Sequence, residues 1–179
     1  MASRLLLVVP LLFLFLFCHT SSARVSVKVT KLMVEKICGL AKNPSFCLEV
    51  LTSDPRTGYA DLDQLRGVCI NLAMVNVTDT EKQINLMLKR SSKERLRSSL
   101  TKCAADYSNA IEQLREAIDF LGARDYDSVR DRASLVISVT MSCELSFRTP
   151  PPISSPLTQN TKNAVGLADI ISAACTFRP

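Results

Sequence analysis

Apolar residues recur with the helical period along most of the chain. The clearest stripe spans residues 93–121, where apolar positions are separated by steps of three and four and form one face of an amphipathic helix. These positions are Leu96, Leu100, Cys103, Tyr107, Ile111, Leu114, Ile118 and Leu121. Similar stripes predict helices over residues 61–90, 126–147 and 158–175.

Turn and cap residues set the expected ends of these helices. Asp61 and Asp125 stand where N-cap residues belong, which accounts for the acidic pairs 61–63 and 125–127 better than acid–base chemistry does. Gly122 stands where a helix-ending residue with positive φ is expected. The segment 135–140 is rich in β-branched residues, so a strand competes there, but the sustained stripe favours a helix.

Four amphipathic helices, none of which can bury its stripe alone, predict an all-α protein. The simplest arrangement is an antiparallel up-down-up-down four-helix bundle stapled by disulfides. A proline-rich connection precedes the last helix, because proline ends helices. Residues 25–51 predict two short helices with a turn at Asn43–Pro44, followed by a loop at 54–58. We therefore expect one domain over 24–179, with a helical hairpin over 24–57 and the four-helix bundle over 58–179.

The N-terminus has the pattern of a secretory signal. Arg4 supplies a positive start, residues 5–18 are almost entirely apolar, and Ser21 and Ala23 offer small residues for cleavage. The apolar run is shorter than the ~20 residues of a membrane-spanning helix. We expect a signal peptide over 1–23, a mature chain starting near Arg24, secretion from the cell and no membrane span.

Composition and residue types exclude several kinds of chemistry. The chain has 179 residues, 47% of them hydrophobic, with 5 glycines and 8 prolines, unlike collagen-like or disordered chains. Its one histidine, His19, falls in the predicted signal, so the mature chain cannot form a Ser-His-Asp or Cys-His site. It also lacks a C-x-x-C pair and clustered glycines. We expect no metal, no cofactor and no enzymatic activity.

The cysteines of a secreted chain are read as candidate disulfides. Cys103 and Cys143 fall at similar heights on facing stripes of two antiparallel helices. A bridge there would contribute about 4 kcal/mol in the chain-entropy model. Cys38 and Cys47 flank the Asn43 turn and can join the two short helices, contributing about 3 kcal/mol by the same model.

Cys69 and Cys175 are predicted to lie toward the same end of the bundle. Two alternatives stay open for them. They can form a third bridge, or they can remain free thiols that pack as small hydrophobic residues.

Two surface features carry functional hypotheses. Asn76 begins the sequence Asn-Val-Thr, an N-glycosylation acceptor that has to face water. A basic stretch is either a solvated turn or a patch for an acidic partner such as a polyanion. Its members are Lys89, Arg90, Lys93, Arg95 and Arg97. Nucleic acid is not expected, because the chain is secreted and the stretch has no interleaved aromatic residues.

Several short elements recur in one known family. They are Cys38-x8-Cys47, Asp54-Pro55, Leu100-Thr101-Lys102-Cys103-Ala104 with Tyr107, Asp125-Tyr126, Cys143-Glu144 with Phe147, and Ser155-Pro156-Leu157. In these elements the chain resembles the plant pectin methylesterase inhibitor and invertase inhibitor family over essentially the whole mature sequence. The resemblance implies a helical hairpin on a four-helix bundle, with Cys38–Cys47 and Cys103–Cys143 disulfides.

The resemblance also implies a function, which is inhibition of a cell-wall carbohydrate enzyme by docking. The turn at 122–127 lacks the Pro-Lys-Phe element of the invertase inhibitors, and its Asp125-Tyr126 looks more like the pectin methylesterase inhibitors. We expect a one-to-one complex with a pectin methylesterase, made by the exposed faces of 93–121 and 126–147. Acid invertase is the alternative target, and a non-inhibitory protein that binds pectin weakly through the basic stretch is a third hypothesis.

Overall fold

A computed structural model describes residues 28–178, so the predicted signal peptide and residues 24–27 lie outside the described part. Six α-helices follow one another along it. They are α1 Lys31–Cys38, α2 Pro44–Ser53, α3 Leu62–Arg90, α4 Glu94–Gly122, α5 Tyr126–Ser146 and α6 Thr158–Thr176. The predicted loop at 54–58 forms a 3-10 turn, Pro55–Gly58, because the Asp54 carboxylate accepts the Arg56 N–H and caps it.

The four long helices pack in a closed ring. Helix α3 contacts α4 and α6, and α5 contacts the same two helices. Short connections join α3 to α4 and α4 to α5, so consecutive helices run antiparallel and the predicted up-down-up-down bundle is confirmed. The β-branched segment of α5 is helical because Val129, Ala133, Val136, Thr140 and Cys143 form one buried stripe.

The two ends of the bundle differ in how their helices are capped. At the start of α3, Asp61 accepts the Gln64 N–H and the Gln64 side chain accepts the Asp61 N–H, both at 2.8 Å. At the start of α5, Asp125 accepts hydrogen bonds from the Ser128 N–H and hydroxyl. These two caps confirm the expected roles of Asp61 and Asp125. Helices α4 and α6 begin at the other end without side-chain caps.

The expected positive φ at Gly122 is wrong. Helix α4 continues through Gly122, and Arg124 instead takes the left-handed conformation with φ 60°. The Asp125 N–H donates to the Phe120 carbonyl and the Arg124 N–H donates to the Leu121 carbonyl, each at 2.9 Å. This is a Schellman ending placed two residues later than the glycine suggests.

The N-terminal hairpin packs against α6. The Cys38–Cys47 disulfide joins its helices, and the Lys42 N–H donates to the Asp169 carboxylate at 2.6 Å. Phe46 lies directly over Gly166, where a Cβ atom would stand 2.5 Å from the Phe46 ring. Helices α2 and α6 can therefore approach this closely only because residue 166 has no side chain.

We expect Gly166→Ala to lower the free energy of unfolding by about 1–3 kcal/mol, because the added methyl group overpacks the contact with Phe46. The matched control is Gly122→Ala, also in a helix but with nothing within 4 Å of the new Cβ. This control is expected to stabilise the protein by up to about 1 kcal/mol. Urea unfolding measures both, and equal stabilisation by the two substitutions would contradict the close contact.

Candidate functional site

The acidic pairs 61–63 and 125–127 stabilise the fold by capping helices and accepting hydrogen bonds. Asp61 and Asp125 cap helices, and Asp63 accepts hydrogen bonds from Arg66 and Tyr126 at 2.7 Å each. Within residues 28–178, no group of three or more His, Cys, Asp or Glu side chains is placed to hold a metal ion. None of the helices in this part of the chain is long and apolar enough to cross a membrane.

Helix α5 presents apolar side chains to solvent. Met141 and Leu145 are 48% and 54% exposed. They are one turn apart, so their side chains lie one above the other on the same face of the helix. Isolated exposed apolar residues are common in soluble proteins, whereas contiguous apolar patches are typical of interaction sites.

Two grooves border this part of α5. One, of about 250 Å³, lies between the end of α5 and the start of α6. The other, of about 360 Å³, lies between α5, α6 and the start of α2. The two grooves are neighbours, since Lys162 and Val165 line both of them. The α5–α6 face consists of apolar and polar side chains that line the two grooves: Phe46, Ile137, Met141, Leu145, Val165, Lys42, Glu144, Arg148, Lys162 and Asp169.

Glu144 fixes the start of α6 beside this face. Its carboxylate accepts the Ser155 hydroxyl at 2.7 Å and the Thr158 hydroxyl at 2.8 Å. The Ser155 Oγ atom in turn accepts the Leu157 N–H at 3.1 Å. The proline-rich connection is thereby tied at its far end to the last turn of α5.

Arg95 fixes the near end of the same connection. Its guanidinium donates to the carbonyls of Ser146 and Thr149 at 2.7 Å each and to that of Pro151 at 3.1 Å. It also donates to the Ser99 hydroxyl at 2.7 Å. Arg95 therefore holds the α5–α6 connection against α4, a role that the sequence pattern does not reveal.

Two disulfides rigidify the scaffold under the α5–α6 face. Cys103 of α4 and Cys143 of α5 are joined, with Cα atoms 4.5 Å apart, and both are fully buried. Cys38 and Cys47 are joined in the hairpin, with Cα atoms 5.4 Å apart. These are the pairs that helix geometry and the family resemblance indicate.

Cys69 and Cys175 are free thiols, and both are buried. Burial raises the pKa of Cys69 to about 12 and that of Cys175 to about 11. Since the thiolate is the reactive form, both groups are protonated and inert near neutral pH. The structure thus contains the free-thiol alternative for this pair and not the third bridge.

We expect a thiol reagent at pH 8 to label neither Cys69 nor Cys175 in the folded protein and both of them in denaturant, because labelling needs an accessible thiolate. Mass spectrometry of digested protein counts the labels. The four bridged cysteines are the internal control, since they stay unlabelled until a reductant is added. A failure to label in denaturant would show that Cys69 and Cys175 are already bridged.

The basic stretch lies on the turn between α3 and α4. Lys89, Arg90, Lys93 and Arg97 are exposed, whereas Arg95 is half-buried. The Arg97 guanidinium donates to the carbonyls of Leu88 and Ser91, at 2.6 and 3.1 Å, and so caps the C-terminus of α3. The stretch therefore combines two arginines that bind backbone carbonyls with three cations that point to solvent.

Asn76 lies near the middle of the continuous helix α3 and is half-buried. Its Oδ1 atom is buried and has no hydrogen-bond partner. The exposure that a glycan needs is thus only partly present in the folded chain, and glycosylation of Asn76 stays a prediction.

Tyr126, part of the Asp125-Tyr126 element, serves the end of the bundle opposite the basic stretch. The Arg66 guanidinium lies 4.0 Å from the centre of its ring. Arg66 also donates to the carbonyls of Ala174 and Phe177, at 3.1 and 3.2 Å, and so caps the C-terminus of α6. Burial and the nearby Asp63 raise the pKa of Tyr126. The element therefore holds α6 against α3 and α5.

Comparison with known proteins places this bundle in a family. A family model described as plant invertase/pectin methylesterase inhibitor matches residues 33–175. A pectinesterase inhibitor of Actinidia deliciosa is 34% identical over 173 residues, which are 97% of this chain and 94% of the relative. A putative invertase inhibitor of Platanus orientalis is 30% identical over 128 residues, which are 72% of this chain and 75% of the relative.

A solved structure shows the same fold. The crystal structure of mutant form A of a pectin methylesterase inhibitor from Arabidopsis matches with a TM-score of 0.73, at 23% sequence identity. The match covers 82% of this chain and 97% of the other. The predicted all-α bundle with an N-terminal hairpin is thereby confirmed.

Proposed function

The chain belongs to the plant invertase/pectin methylesterase inhibitor family, and from this premise we propose that its target is a pectin methylesterase. It is an inhibitor and not an enzyme. The observation that carries the choice of target is the 34% identity to a pectinesterase inhibitor over nearly the full length of both chains. The turn at 122–127, which lacks the Pro-Lys-Phe element of the invertase inhibitors, supports the same choice.

The α5–α6 face is the surface proposed to cover the esterase. Apolar side chains at the centre of an interface with a polar rim are typical of protein docking sites. Here Met141 and Leu145 would form the apolar centre, while Lys42, Arg148 and Lys162 lie around it. A specific one-to-one complex needs roughly 800 Å² from each partner. Two neighbouring helices and the hairpin can supply that area.

Rigidity favours this mode of inhibition. Association costs conformational entropy wherever side chains or loops have to be ordered. Two disulfides, the Arg95 hydrogen bonds and the Glu144 hydrogen bonds hold the α5–α6 face in one conformation before it meets a partner. Docking therefore orders little besides exposed side chains, and more of the contact energy appears as affinity.

Titration of the secreted protein into a fixed concentration of a plant pectin methylesterase tests the proposal. With enzyme well above the dissociation constant, activity is expected to fall linearly and to reach its minimum at one equivalent of inhibitor. Several isoforms should be assayed, including at acidic pH. Undiminished activity of all of them at a large molar excess would overturn the choice of target.

Acid invertase is the second candidate, favoured by the 30% identity to a putative invertase inhibitor. Hydrolysis of sucrose by cell-wall and vacuolar invertases, measured with the same protein preparation, is expected to be unaffected. Inhibition of invertase alone would replace the first proposal with this one.

Secretion to the apoplast accompanies the proposal. The apolar run within 1–23 and the oxidised cysteine pairs support it, since disulfides persist in oxidising compartments. N-terminal sequencing of secreted protein is expected to begin near Arg24. The same material, treated with a glycosidase and weighed by mass spectrometry, tests the proposed glycan on Asn76.

A further inference from the structure

One end of the bundle carries a cluster of positive charge. The basic end is defined here as the cations of the α3–α4 turn and of the α5–α6 connection: Lys89, Arg90, Lys93, Arg95, Arg97 and Arg148. Eight salt bridges join side chains within residues 28–178, and none of them includes a member of the basic end.

Hydrogen bonds bring together the two segments that carry these cations. Arg97 donates to the carbonyls of Leu88 and Ser91, at the end of α3. Arg95 donates to the Thr149 carbonyl, so the α3–α4 turn lies beside the connection that carries Arg148. Carbonyl oxygens are neutral acceptors, so these contacts bring no negative charge to Arg95 or Arg97.

Few carboxylates are near enough in sequence to offset this charge. Residues 86–98 and 144–158 contain only Glu94 and Glu144. Glu144 already accepts two hydroxyl hydrogen bonds. The opposite end pairs its arginines with acids, as in Arg66–Asp63 and Arg130–Asp127. A cluster of like charges that no salt bridge within residues 28–178 neutralises attracts an anionic polymer and loses that attraction as salt is added.

We propose that the basic end binds a polyuronate, the demethylesterified form of the polymer on which the target enzyme acts. This inference rests on the proposed function. Ester hydrolysis by the target consumes water and releases methanol and a proton, and it leaves a carboxylate on the polymer in place of a neutral ester. The substrate therefore gains a carboxylate at every turnover, and the basic end distinguishes the product from the fully esterified polymer by charge.

A polyuronate suits the surface better than a nucleic acid. Single-stranded nucleic acids are held by aromatic side chains that stack on bases, and the stretch 89–97 contains none. Arginine side chains, in contrast, bind carboxylates through two parallel hydrogen bonds.

Binding of the polyuronate would regulate the esterase locally, because the inhibitor accumulates where the esterase has already acted.

The test compares two variants with the same loss of charge. Lys89→Gln/Arg90→Gln/Lys93→Gln removes three exposed cations that lie outside the α5–α6 face. Lys28→Gln/Lys31→Gln/Lys36→Gln removes three exposed cations near the N-terminal hairpin. Dissociation constants are measured at about 20 mM salt, where the Debye length exceeds ~20 Å, for polygalacturonate and for the same polymer fully methyl-esterified.

Wild-type protein is expected to bind polygalacturonate at least about tenfold more tightly than the esterified polymer, and the first variant is expected to lose about tenfold. The hairpin variant should change less than about twofold, since its charges lie away from the patch. Equal losses from both variants would overturn the inference, as would equal binding of the two polymers. Binding of polyglutamate as tight as that of polygalacturonate would overturn the assignment to a polyuronate.

Esterase binding, measured by calorimetry without polymer, separates this inference from the proposed function. The first variant is expected to bind the esterase as wild-type protein does. Wild-type protein that inhibits the esterase but shows no preference for polygalacturonate would overturn only the inference. Wild-type protein that prefers polygalacturonate but inhibits no esterase would overturn the proposed target and the regulation that depends on it.

Discussion

Replacing Met141 and Leu145 with aspartate is expected to raise the protein concentration needed for half-inhibition of a pectin methylesterase by at least about a hundredfold, or ~2.7 kcal/mol. Central apolar side chains carry most of the energy of an interface, and a carboxylate buried there without a partner weakens it further. The bundle should stay folded because each side chain is about half exposed and neither belongs to the buried core. Titration of esterase activity measures the shift, and circular dichroism checks the fold.

A second pair of exposed apolar residues provides the matched control. Val75 and Leu86 on α3 are 53% and 50% exposed, and they lie outside the α5–α6 face. Val75→Asp/Leu86→Asp is expected to change half-inhibition by less than about twofold, as is usual for residues outside an interface. A large loss from this pair, with little from the α5 pair, would move the docking surface to α3.

Removing the disulfide between the bundle helices is expected to cause the largest loss of stability. The Cys103–Cys143 bridge spans 40 residues, and a loop of that length contributes about 4 kcal/mol in the chain-entropy model. Cys103→Ala/Cys143→Ala should therefore unfold at much lower urea concentration than wild-type protein. It should also inhibit more weakly wherever its unfolded fraction becomes appreciable, because only the folded form binds.

Cys69→Ala/Cys175→Ala is the control for this experiment. It removes two buried sulfur atoms without breaking a crosslink, so it reports the loss of packing alone. The difference between the two double variants, measured by urea unfolding under non-reducing conditions, is expected to be about 4 kcal/mol. Equal losses in both would mean that the bridge adds no stability beyond the packing of its sulfur atoms.

The bundle was largely predictable because each of the four long helices has an apolar stripe with the helical period. The predicted helix 93–121 is Glu94–Gly122 in the structure, and 126–147 is Tyr126–Ser146. The Cys103–Cys143 bridge was predictable for a related reason, since the helical repeat places the two cysteines at similar heights on facing stripes. Local pattern and antiparallel geometry together were sufficient for these features.

Features that depend on distant contacts were not predictable from the sequence. The sequence gives Arg95 the pattern of a surface cation, yet its guanidinium donates to the carbonyls of residues 51 and 54 positions later in the chain. Gly166 gives no local sign of its role, which depends on Phe46 packing from the hairpin. The helix-ending position at Arg124 was missed because Gly122 offers the more usual residue for a positive φ.

The candidate surface was partly predictable. The sequence pointed to the outer faces of both α4 and α5, but on α4 Ile118 is the one large apolar side chain that is strongly exposed. The structure favours α5 instead and adds α6 and the start of α2, which line the grooves beside it. Their contribution depends on how the hairpin packs on α6, and no local pattern encodes that packing.

Hydroxyl-radical footprinting of the protein alone and in complex with a pectin methylesterase tests most directly whether the α5–α6 face covers the enzyme. Mass spectrometry of the oxidised peptides reports the accessibility of individual side chains. Met141 and Leu145 are expected to lose most of their oxidation in the complex, while Val75 and Leu86 on α3 are oxidised as in the free protein. Protection of Val75 and Leu86 with unchanged oxidation of Met141 and Leu145 would contradict the account.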